Sequence, residues 1–168
     1  MFAIGRVPNV HGLGLENAGI KYDKNVGIEV NDNMLTANPN IYALGDCIAG
    51  PKFTHNSDVQ ARSVVKNALF FDNVDKKTIH VPYCTYTDPE VAHVGMNEKM
   101  LKEANIEFYL YEKSFEHADR ALCDGVVGVY KIFCEKGTDK ILGATLVGGP
   151  AGDMIANITQ AMHNGIGL

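Results

Sequence analysis

The sequence predicts an α/β unit that passes into an α+β unit, and three observations predict it. The apolar run Ile41 to Leu44 ends at Gly45-Asp46 and is followed, after a loop, by a helical repeat, the strand-turn-helix order of an α/β unit. Three β-rich runs at 107–115, 125–135 and 140–147 are joined by connections so short that they read as an antiparallel meander. The chain then closes on an amphipathic helix over 151–163 with Gly165 as its stop.

Residues 1 to 25 read as the tail of a strand, Met1 to Arg6, running into a glycine turn and then irregular chain. Gly12-Leu13-Gly14-Leu15-Glu16-Asn17-Ala18-Gly19 looks like a phosphate-binding loop, but its spacing is wrong for G-x-G-x-x-G and no full strand precedes it. Val26 to Asn31 is a short strand. Asn38-Pro39-Asn40 is a turn signal, because the residue before a proline is pushed out of the helical region. Ile41 to Leu44 is expected as a short buried strand. Gly45 frees the backbone for a tight turn or a close approach. Asp46 then stands at a strand's carboxyl end, where open α/β sheets place their ligands.

Phe53 to Phe71 has helical periodicity, with Ala61, Val65, Ala68 and Leu69 as its apolar face and Thr54 or a close neighbour as N-cap. Residues 72–80 are polar and mixed in charge, the composition of a linker. Beyond it, Cys84 to Thr87 and Val91 to Gly95 are strands on either side of an Asp88-Pro89-Glu90 turn. Asn97 caps a short helix, Glu98 to Ala104, with Met100, Leu101 and Ala104 inward. Met154, Ile155, Ile158, Ala161 and Met162 form the buried stripe of the closing helix.

Composition narrows the function classes. Apolar residues make up 46% and charged residues 21%, enough to build a core. Net charge is −5 and Lys and Arg form no stripe, which argues against a nucleic-acid partner. No apolar run is long enough to span a bilayer. Cys47, Cys84, Cys123 and Cys134 have neither redox-dithiol nor zinc-site spacing, and the six histidines share no catalytic or metal-ligand spacing. The sequence therefore assigns no catalytic residue and no metal ligand. Asn157-Ile158-Thr159 spells a glycosylation sequon inside an expected helix and is read as chance.

Thr36, Pro39, Ile41, Tyr42, Ala43, Gly45 and Asp46 fit T-x-x-P-x-I-Y-A-x-G-D, which resembles the second flavin-binding motif of the pyridine nucleotide-disulfide oxidoreductases. Gly5-Arg6-Val7-Pro8-Asn9 is similar to that family's G-R-x-P-N turn. The run from Tyr86 to Gly95 resembles the opening of its dimerisation domain, and 140–148 and 151–168 resemble its last strand and the helix after it. Asp119-Arg120-Ala121 looks more like the mercuric-reductase-like branch than like the dihydrolipoamide dehydrogenases; the plainer reading is a loop ion pair between Asp119 and Arg120.

The resemblance implies residues 1–71 as a partial FAD-binding domain, 72–80 as linker and 81–168 as a dimerisation domain truncated at its C-terminus. It implies FAD as cofactor and NAD(P)H as co-substrate, with a homodimer formed through 81–168. Asp46 would accept from a ribityl hydroxyl. Leu44 and Gly45 would line the pocket through their backbone, and Phe53, Thr54 and His55 would lie beside the flavin ring. The family's redox dithiol and C-terminal His and Glu have no counterpart in this sequence, so the expectation is a fragment of a disulfide or mercuric-ion reductase, without turnover by itself. The alternative is a noncatalytic dimerisation module that has lost flavin; a general α/β binding domain with chance motifs is remote. The sequence does not choose among lipoamide, glutathione-like disulfides and mercuric ion, or between NADH and NADPH. Cytoplasm is only a default location, because the start of the chain leaves organelle targeting open.

Overall fold

A computed structural model describes residues 1–70 and 73–168 and divides the chain into two units, Met1–Ile79 and His80–Leu168, each with an apolar core of its own. The end of the expected first helix at Phe71 and the start of the expected linker at Asp72 lie outside the described residues.

In the first unit, β1 (Tyr22–Asp23) and β2 (Gly27–Ile28) form an antiparallel hairpin. The strand expected over 26–31 is thus two residues long. Gly27 has φ +118°, and a Cβ there would lie 2.4 Å from the Cys47 carbonyl oxygen; only glycine lets the hairpin press on that turn. Val10, Leu15, Ile20, Ile28, Ala43 and Ile48 form the core beneath. Residues 1–6 are not a strand: no described strand forms a ladder with them, and Phe2 and Ile4 are exposed. The expected buried strand at 41–44 is an extended segment held by one bridge, Leu35 to Tyr42, and by the Ala43 amide donating to the Met34 carbonyl.

Helix α1 (Thr54–Leu69) has Phe53, the neighbour of Thr54, at its N-cap, and the Phe53 side chain makes no capping hydrogen bond. Its buried residues are Asn56, Gln60 and Ser63, whereas Val65 is half exposed and Leu69 is 68% exposed. The expected apolar face is therefore wrong. The helix packs on the 3-10 turn Gly45–Cys47, where the buried Gly45 amide needs an acceptor and Gln60 supplies it, while Asn56 donates to the Pro51 carbonyl and Ser63 to the Val59 carbonyl of its own helix. Residues 73–79 are fastened to this same unit. Asn67 brackets Val74 with two hydrogen bonds, Lys76 N–H donates to the Asp32 carbonyl at 2.8 Å, and Lys77 pairs with the Asp32 carboxylate at 2.6 Å.

The second unit is a five-stranded antiparallel sheet in the order β3-β4-β7-β6-β5, with β3 at Tyr83–Thr85, β4 at Val91–Gly95, β5 at Phe108–Ser114, β6 at Gly128–Glu135 and β7 at Ile141–Gly148. Strands β5, β6 and β7 form the expected meander. Strand β4 joins β7 instead of β5, so the chain crosses over through α2 (Glu98–Glu103). Asn97 caps α2 by accepting from the Met100 amide at 3.0 Å. Of the residues expected on its inner face, only Leu101 is buried. Helix α3 (Asp119–Asp124) was not expected; six residues are too few to show a period, and the Gly125 stop at φ 65° is its clearest mark. On α3, Arg120 bonds Asp124 at 2.6 Å, one turn on, rather than Asp119.

Helix α4 (Ala151–His163) covers the sheet. Ala151 and Ile155 enter a core with Ala92, Val94, Ile132, Cys134, Ala144 and Leu146, while Met154, Ile158, Ala161 and Met162 pack at its margin. The helix ends with Gly165 at φ 63°. The Gly165 amide donates to the Met162 carbonyl and the Ile166 amide to the Ala161 carbonyl, the paired bonds of a Schellman stop.

Candidate functional site

The turn before Asp46 is stapled by its own polar side chains. Thr36, buried, donates its hydroxyl to the Ile41 carbonyl at 2.8 Å and accepts from the Asn38 amide at 3.1 Å. Asn38 reaches back to the Ala18 carbonyl at 2.8 Å and accepts from the Asn40 amide at 3.0 Å. The threonine and asparagine of this stretch thereby fix the direction in which the chain leaves toward Leu44.

Leu44 is extended and Gly45, at φ +71°, opens the 3-10 turn Gly45–Cys47. The Gly45 amide donates to Gln60 Oε1 at 2.7 Å, and a Cβ on Gly45 would lie 2.8 Å from Ser57 Oγ. This glycine is required twice, for its left-handed backbone and for its contact with α1. Its amide is committed to Gln60, so Gly45 shapes the turn and offers no donor there. The Leu44 carbonyl faces the Cys47 thiol at 3.1 Å.

The Asp46 side chain is 54% exposed, with Arg6 Nη1 at 4.0 Å. An exposed pair at that distance holds the carboxylate only weakly, at about 0–1 kcal/mol. The loop behind it is braced by cations on carbonyls: Lys52 Nζ donates to the Asp46 and Ile48 carbonyls at 2.7 and 3.2 Å, and Arg6 Nη1 to the Lys52 carbonyl at 2.8 Å.

The start of α1 is the other half of the site. The first turn carries no acidic residue, and the first helical bond runs from the Ser57 amide to the Phe53 carbonyl at 3.0 Å. Thr54 and His55 thus contribute to a helix start whose partial positive charge no side chain of that turn neutralises. The Phe53 and His55 rings stack at 5.3 Å, and buried Asn56 ties the turn to the Pro51 carbonyl at 2.8 Å.

The structure therefore joins Leu44, Gly45 and Asp46 to α1 through Gln60 and Ser57, and puts Phe53, Thr54 and His55 at the tip of that helix. Sequence reasoning missed Arg6, Lys52, Ser57 and Gln60. Asn56, Gln60 and Ser63 share one helical face, and that polar stripe was the available signal.

The family model described as the pyridine nucleotide-disulphide oxidoreductase dimerisation domain matches residues 81–168, and the one described as pyridine nucleotide-disulphide oxidoreductase matches residues 1–61. The mitochondrial dihydrolipoyl dehydrogenase of Mus musculus is 37% identical over 171 residues, covering 98% of this chain and 32% of its own length. That of Dictyostelium discoideum is 34% identical over 166 residues, covering 98% and 34%. Among solved structures, the HOCl-induced flavoprotein disulfide reductase RclA from Escherichia coli superposes with a TM-score of 0.82 at 28% identity, over 98% of this chain and 38% of that one. LpdA from Mycobacterium tuberculosis does so with a TM-score of 0.83 at 27% identity, over 96% and 35%. The chain spans about a third of the length of the curated relatives it matches.

Proposed function

This chain belongs to the pyridine nucleotide-disulphide oxidoreductases, and from that premise we propose that it contributes the flavin-facing turn and the self-association domain of an FAD-dependent NAD(P)H:disulfide or metal-ion reductase. The unit Met1–Ile79, to which residues 73–79 are fastened, is the flavin-facing part, and residues 81–168 are the part through which two copies pair.

The residues present suit the cofactor. A ribityl chain offers hydroxyl donors, and Asp46 presents a half-exposed carboxylate that only accepts. Negative charge on the pyrimidine edge of a flavin calls for donors and a positive field, and the tip of α1 has no acidic side chain to oppose one. Asp46 would hold the sugar-alcohol chain, the amides of Thr54 and His55 would donate to the ring edge, and Leu44, Gly45 and Phe53 would shape the wall. Bound FAD would supply hydride acceptance from NAD(P)H and electron delivery to the acceptor. This chain's part is to orient the flavin and tune it, through the carboxylate and the helix start.

The observation that supports this reading most is the Gly45–Gln60 bond, which locks the turn bearing Asp46 to the helix whose tip completes the site. The test is gel filtration of the chain after mixing with FAD. Visible flavin absorbance moving with a dimer-sized peak supports the proposal. A colourless dimer makes the chain a pairing module without flavin.

A further inference from the structure

His80 opens the second unit, and His163 is the last residue of α4. They stand far apart in sequence, yet their ring centroids are 5.2 Å apart with the planes inclined at 61°. His163 is exposed and His80 only half-buried, so solvent and small ions reach both. We propose that His80 and His163 form a two-imidazole site for a borderline divalent transition-metal cation, of the class of Ni(II), Cu(II) and Zn(II).

The separation carries the argument. Zn–N bonds of about 2.0–2.1 Å meeting at a tetrahedral angle put the centroids of two coordinated imidazoles about 5 Å apart. The observed 5.2 Å matches that spacing, and the site requires the two rings to turn about their side-chain torsions until one nitrogen of each faces a shared point. Imidazole suits this class of cation, and the series predicts Cu(II) above Ni(II) and Zn(II) in affinity. No group of three or more His, Cys, Asp or Glu side chains able to hold a metal forms among the described residues, so water completes the coordination shell and the site stays open to exchange.

The consequence is mechanical. A bound cation ties the segment that enters β3 to the final turn of α4, closing a loop that includes nearly the whole second unit. Binding to the folded chain alone then raises its melting temperature, with the logarithm of metal concentration once that exceeds Kd.

Ni(II) tests this on the tag-free chain, because it favours imidazole over the scattered thiols. Calorimetric titration should give one saturable site per chain. His163→Ala and His80→Asn should each weaken it by at least about tenfold, the loss expected when a metal site loses a supporting group, and each should abolish the Ni(II)-induced rise in melting temperature. His11→Ala and His117→Ala should change neither. No saturable binding, or binding unchanged in His163→Ala, overturns the site and leaves the rings as an ordinary edge contact. The exposed position of His163 makes that variant decisive even if His80→Asn fails to fold.

Discussion

The Glu90 carboxylate accepts a hydrogen bond from the Gly152 amide at 3.0 Å, joining the start of β4 to the first turn of α4 across 62 positions of sequence. Helix α4 has Pro150 at its N-cap and no side-chain cap of its own, so Glu90 supplies from a distance the acceptor that the helix start lacks. The same oxygen lies 3.8 Å from the Cys84 sulfur. Burial, then the neighbouring Glu90 charge, pushes the Cys84 thiol above its ordinary value and keeps it protonated.

Removing this acceptor should loosen α4 from the sheet. Glu90→Ala is expected to destabilise the second unit by about 0.5–2 kcal/mol, the range for a lost N-terminal cap. Glu90→Gln, which keeps an oxygen in place, should recover part of that. Thermal unfolding followed by far-ultraviolet circular dichroism measures both.

His93 makes the second unit sensitive to acid. The ring is 7% exposed, with Nε2–H donating to the Gly95 carbonyl at 2.9 Å and Nδ1 accepting from the Thr145 hydroxyl at 2.8 Å. Burial depresses its pKa, and the Gly95 bond offsets only part of that. An unfolded histidine titrates near about 6.5, so above that pH the stabilisation is complete. As pH falls below it, the unfolded chain binds the proton first, and stability drops until the folded pKa is passed. Urea unfolding at a series of pH values from neutral downward should show this acid limb, and His93→Gln should flatten it.

The bond between Gln60 and Gly45 predicts a coupled loss in the first unit. Gln60→Leu fills similar space but leaves the buried Gly45 amide without an acceptor, at about 1–3 kcal/mol. Gln60→Glu keeps an acceptor for that amide while burying a carboxylate, so its stability cost has a different origin. Amide exchange at Gly45 is the direct readout, since protection there should vanish in the leucine variant and persist in the glutamate variant.

Where side-chain period and cap chemistry decide an element, the sequence was a good guide. Strand β4 and helix α4 lie at the expected residues, and Asn97 caps α2 as its position suggested. It misled where backbone polarity decides. The inward face of α1 is Asn56, Gln60 and Ser63, of which Gln60 accepts from the Gly45 amide, Asn56 donates to the Pro51 carbonyl and Ser63 donates to the Val59 carbonyl of its own helix, and a search for an apolar stripe selected Val65 and Leu69 instead. The pairing of β4 with β7 rests on contacts between strands distant in sequence, which no local pattern encodes. The motif around Asp46 was legible because turn chemistry spells it out. Of its supports, Gln60 was signalled only as part of the polar stripe on α1, and Ser57, Arg6 and Lys52 were not legible, because no local pattern ties them to that turn.

The central claim, that the Asp46 carboxylate grips a flavin's sugar-alcohol chain, is tested most directly by fluorescence titration of FAD against the native chain, Asp46→Asn and Asp46→Ala. The account predicts saturable quenching by the native chain, partial weakening in the asparagine variant, and a loss of at least about tenfold, or about 1.4 kcal/mol, in the alanine variant. Equal affinity in the native and alanine chains, or no saturable quenching by the native chain, would contradict it.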